Sequence, residues 1–113
     1  MLHSLALLAA TAAQPALDPA IEADLRCVVA IAMAANAVPK EMQPGLFSGM
    51  FYFIGRIDAR APGFDFETEV RRLAGGRVDA ESFRPDMIRC GKIMEDRGRY
   101  VEQVGKSLQT NPE

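Results

Sequence analysis

Cys27 and Cys90 are the only cysteines of this chain and His3 is its only histidine. These residue types carry most side-chain chemistry near neutral pH, so their scarcity narrows the field early. Two cysteines allow a single pairing. In an oxidising compartment they would form a disulfide, and in a reducing one they would pack as small buried hydrophobes. Redox catalysis is disfavoured, because there is no C-x-x-C and neither cysteine has the loop or helix-start setting that lowers a thiol pKa most. His3 lies in an apolar leader, so a processed chain would hold no histidine at all. That removes Ser-His-Asp and Cys-His catalysis, His-ligated zinc and the usual neutral-pH proton shuttle. No metal and no cofactor is expected.

The remaining polar clusters have plain explanations. Asp65, Glu67 and Glu69 stand together, as do Asp79 with Glu81 and Glu95 with Asp96. Each set suits helix capping, dipole complementation or a solvated face better than acid–base chemistry. Gly75-Gly76 follows no strand and is not a phosphate loop, and the acidic spacing matches no calcium loop. Arg56 and Arg60 are one helical turn apart and could present a fork-like surface to an acidic partner or a carboxylate. The alternative is that they are solvated or pair with acids on neighbouring helices. Phe47, Phe51, Phe66, Met87 and Met94 are either core filler or the lining of an adaptable apolar groove.

The elements that would position these residues are helical. At 113 residues, 49% apolar and 25% charged, the chain has the size and composition of one globular domain. Its net charge of −2 offers no footprint for nucleic acid. Residues 1–13 read as a signal peptide: an apolar stretch over 5–10 is followed by small residues at Ala10, Ala12 and Ala13 that fit a peptidase site. The alternative is a helix that stays on a cytosolic protein. Residues 14–113 then form one helical domain with an ordered core over about 18–108. The longest wholly apolar run, residues 27–35, is about half of the roughly 20 residues that a bilayer span needs, so no stable membrane insertion is expected.

Asp18-Pro19 is a helix start, and residues 20–36 continue without Gly or Pro. Because 27–35 is apolar on every side, this helix is expected to run through the middle of the fold. Leu46, Phe47, Met50, Phe51, Ile54 and Ile57 mark a second helix over 44–59, with Gly45 and Gly49 permitting a close contact, and Ala61-Pro62-Gly63 ends it. Asp65 caps a short third helix striped by Phe66, Val70 and Leu73. A polar loop over 77–84 leads to a last helix over about 85–108, with Phe83 and Ile88 placed to form a hydrophobic staple. In that helix Met87, Met94, Val101 and Leu108 recur every seven residues, and so do Gly91, Gly98 and Gly105. Three glycines in register imply backbone-close packing against a neighbour. Lys92, Glu95, Arg99, Glu102 and Lys106 form the opposite, solvated face. The fold class is all-α, a small bundle of about four helices, stapled by one disulfide if the leader exports the chain.

An apolar leader, Cys27 in an early helix, amphipathic middle helices and Cys90 in a late helix resemble the HdeA/HdeB type of small periplasmic protein. In that family the cysteine pair encloses a shorter segment, and residues 56–63 have no counterpart. The leader implies a periplasmic or secreted protein, and the resemblance implies one that holds unfolded clients at low pH. The expected function is a non-enzymatic interaction or chaperone-like stress protein with a protein partner or client. The alternative is a carrier of a small apolar ligand within the helical core. An enzyme using Arg56, Arg60 and a carboxylate ranks last. Oligomeric state is not legible.

Overall fold

The structure, a computed structural model, describes residues 17–75, 79 and 81–110. The signal-peptide reading of residues 1–13 lies outside the described residues, as does part of the 77–84 loop. The described chain is all-α: α1 (Pro19–Ala37), a single 3₁₀ turn (Lys40–Met42), α2 (Gln43–Arg60), α3 (Phe66–Ala74) and α4 (Arg84–Thr110). Punctuation in the sequence sets most of these limits. The Asp18 side chain accepts a hydrogen bond from the Ala20 N–H at 2.8 Å, with Pro19 filling the first helical turn. Asp65 accepts from the Thr68 N–H at 3.1 Å and from its hydroxyl at 2.7 Å. Gly63 takes φ +76°, a left-handed turn that a side chain would strain, and so reverses the chain after α2.

α1 is the central element. Leu25, Cys27, Val28 and Ile31 are buried with Phe53 and Ile57 of α2 and Cys90 of α4. On another side of α1, Val29 and Ala30 bury against Phe83. Residues 27–31 and Ala35 are buried and residues 32–34 half-buried, which matches an apolar stretch surrounded by neighbours. The Cys27–Cys90 disulfide joins the middle of α1 to α4 across 63 positions, with Cα atoms 5.6 Å apart and both residues fully buried.

Charged residues in the first turns of α1 reach each of the other helices. Glu22 pairs with Arg72 of α3 at 2.6 Å. Asp24, only 2% exposed, has the Arg56 Nε of α2 3.1 Å from its Oδ2. That oxygen accepts no hydrogen bond, so the contact is Coulombic rather than directional. Arg26 lies 4.7 Å above the Phe83 ring and donates through Nε to Asp86 of α4 at 3.0 Å. Arg89 donates to the other Asp86 oxygen at 3.2 Å and to the Ala23 carbonyl at 3.0 Å.

Two expectations fail. Phe83 is buried but Ile88 is 70% exposed, so no staple forms; Phe83 packs on α1 and Arg26 instead. Gly91, Gly98 and Gly105 have no described atom within 4 Å of where a Cβ would stand, so no neighbour packs on them. At Gly98 and Gly105 the physical reason is length: α4 outruns the body, and residues 95–109 are all exposed; Gly91, nearer the body, is exposed as well.

Burial pushes the Asp86 carboxyl up, but the hydrogen bonds and charges of Arg26 and Arg89 outweigh this and hold it below the ordinary carboxylate range. A lowered folded-state pKa stabilises the fold above the unfolded value, about 3.9, and that gain is lost as pH falls through the folded value. Asp86→Ala should therefore cost about 2 kcal/mol near neutral pH, less than a fully buried pair because both arginines are partly exposed. Urea denaturation should show this difference shrinking as pH drops below about 4. An equal loss at both pH values would contradict the charge-based account.

Candidate functional site

α1, α2 and α4 leave an open apolar groove where α4 begins to diverge from the body. Its cavity, about 210 Å³, is lined by Ala30, Ile31 and Ala34 of α1, Leu46 of α2, and Met87, Gly91 and Met94 of α4. Small residues on α1 make the hollow, and the two methionines border it with flexible thioether chains. Met94 also closes against α2. A Cβ on Gly49 would fall 2.6 Å from the Met94 sulfur and closer still to its methyl, so the glycine is the seat for that side chain. Gly45, its companion four residues earlier, has open space beside it.

The five candidate groove residues do not converge. Met87 and Met94 line the cavity. Phe66 is half-buried against the main core, edge-on to Phe64 at 4.9 Å. Phe47 and Phe51 are 42% and 69% exposed, one turn apart on the side of α2 away from Gly49. They continue along the helix to Gly55, also exposed, so this side of α2 is an uncovered apolar stripe.

Arg56 and Arg60 are separated by their environments. Arg56 is half-buried beside Asp24, with its guanidinium 5.5 Å from the Tyr52 ring centroid and Nη1 donating to the Tyr52 hydroxyl at 3.4 Å. Arg60 is exposed in the last turn of α2 and forms no ion pair among the described residues. Cys27 and Cys90 meet as the disulfide. Among the described residues no three His, Cys, Asp or Glu side chains gather into a set that could hold a metal ion. No helix among them is long and apolar enough to cross a membrane.

Sequence reasoning missed Asp24 and Asp86 as buried acids and Arg26 as the residue between Phe83 and Asp86. The available signal was position: Asp24 and Arg26 alternate with Leu25 and Cys27 where the helix turns apolar. Acids early in a helix also suit the dipole, which masks the signal. Compared with protein-family models, with the curated proteins and with the solved structures, the chain matches none.

The Gly49 seat makes a prediction of contrast. Gly55→Ala, in open space within α2, should raise stability by about 0.5–1 kcal/mol through helix propensity. Gly49→Ala should give less than half of that gain, or a loss, because Met94 must leave its place. Thermal unfolding of the two variants checks this. Equal gains would mean that Met94 does not rest on Gly49.

Proposed function

We propose that the chain is a small exported, non-enzymatic interaction protein of chaperone-like character, working in the periplasm or outside the cell. The observation that carries this reading is the uncovered aromatic stripe of α2, Phe47 and Phe51, on a frame crosslinked by a disulfide. Large apolar side chains grouped on a surface mark a site for a partner rather than an ordinary solvated face. A disulfide suits an oxidising compartment, in keeping with the leader. The client would be an apolar segment of an unfolded protein, bound through ring surfaces and without directional chemistry.

Acid would strengthen such binding. Protonation of Asp86 frees Arg26 and Arg89 and weakens the non-covalent hold of α1 on the first turns of α4, while the disulfide keeps the helices attached. Further apolar surface around the methionine groove would then open. A second reading, a carrier of a small apolar ligand, draws on the 210 Å³ groove. That volume is below the roughly 300–1,000 Å³ of pockets that enclose drug-sized ligands, so the client reading ranks first.

A client-aggregation assay run from about pH 7 to about pH 2, alongside an apolar-dye titration, tests the proposal. Wild-type protein should suppress aggregation increasingly as dye binding rises below about pH 4, and Phe47→Ser with Phe51→Ser should lose most of that protection. Flat dye binding with no client protection across the range would end the acid-activated version. Protection unaffected by the double substitution would place the site elsewhere.

A further inference from the structure

We propose that Met94 is a site of oxidative modification, and that its conversion to the sulfoxide releases α4 from α2. This does not rest on the functional reading above. Met94 is half-buried and residues 95–109 beyond it are all exposed, so it is the last residue by which α4 holds the body. It stands one turn beyond Cys90, where the disulfide ties α4 to α1. Its own hold is on a different neighbour. The side chain packs against the main core and rests on Gly49 of α2, where a Cβ would fall 2.6 Å from the sulfur. On that side the seat fits a bare thioether and nothing larger.

On its other side Met94 borders the open groove, which gives a small oxidant access to the thioether. The oxidant class is a peroxide. The sulfur lone pair attacks one peroxide oxygen, and an S–O bond forms as the O–O bond breaks. The displaced hydroxide takes the proton of the transferred oxygen and leaves as water. Sulfur is thereby oxidised by two electrons and the peroxide reduced by two. The product is a sulfoxide, polar and chiral where the side chain was flexible and apolar.

The new oxygen needs a hydrogen-bond donor, and the groove offers none. Its other lining residues are Ala30, Ile31, Ala34, Leu46, Met87 and Gly91. None has a polar side chain, and all lie within helices, whose backbone N–H groups are already spent in their own ladders. Burying the oxygen unpaired is costly, so the modified side chain turns to water and gives up its seat on Gly49. The disulfide keeps Cys90 on α1, which confines the release to the α2 side and leaves the chain folded. Met42 provides the contrast. It is 58% exposed and packs on neither core cluster, so its oxidation displaces nothing.

A time course of hydrogen peroxide treatment on the full, disulfide-bonded chain tests the proposal, with peptide mapping and thermal unfolding at each point. Met42 should convert first and leave the thermal midpoint unchanged. The midpoint should then fall by at least about 4 °C in step with conversion of Met94. Met94→Leu should lose less than half as much under the same treatment. Met87→Leu, which alters the same groove but keeps the contact with Gly49, should retain most of the drop. Gly49→Ala unseats Met94 beforehand, so peroxide should lower its midpoint by less than half of the wild-type drop. A full drop in either Met94→Leu or Gly49→Ala overturns the proposal. So does a midpoint that stays put once Met94 is converted, or a Met94 still unmodified when Met33, Met50 and Met87 are sulfoxides.

Discussion

The covalent bond between Cys27 and Cys90 joins α1 to α4 where the two helices share only a few turns, and the organisation of the molecule depends on it. α4 touches the body through its first three turns and then leaves it. A helix so briefly engaged buries too little apolar surface to be held firmly by packing alone. Closing a loop of 63 positions restricts the unfolded chain enough to contribute roughly 4 kcal/mol in the chain-entropy model. Around that bond the first turns of α1 distribute charges to the other helices. Glu22 and Arg26, one turn apart, serve α3 and α4, and Asp24 on the opposite side serves α2. The fold is therefore a central helix with polar ties to every neighbour and one covalent tie to the longest.

These ties differ in kind. Asp86 is fully engaged by two arginines, and its lowered pKa reflects their hydrogen bonds. Asp24 is more deeply buried and has only a Coulombic partner at one oxygen. Arg56 is drawn inward by it, which removes one of the two arginines that a surface reading would offer to a partner.

Helix limits were legible because they depend on local chemistry. Asp18-Pro19, Asp65 and Ala61-Pro62-Gly63 act within a few residues of themselves, and the caps and the left-handed glycine lie where those residues predict. The central place of α1 was legible from a stretch apolar on every side. The extent of α4 beyond the body was not. A seven-residue repeat tells which side of a helix is apolar, but it does not tell whether any neighbour is long enough to cover it. Val101 and Leu108 therefore read as core and stand exposed. The groove was half legible: Met87 and Met94 line it, but Phe47 and Phe51 belong to an uncovered stripe on another side of α2, because helix rotation relative to a neighbour depends on long-range packing.

Two apolar surfaces thus remain open on a frame pinned by the disulfide, one on α2 and one along α4. That view depends on the disulfide holding α4 in place. Equilibrium urea unfolding of the oxidised protein against the Cys27→Ala, Cys90→Ala variant measures this most directly. The account predicts a loss of about 3–4 kcal/mol in the variant, and a loss below about 1 kcal/mol would contradict it.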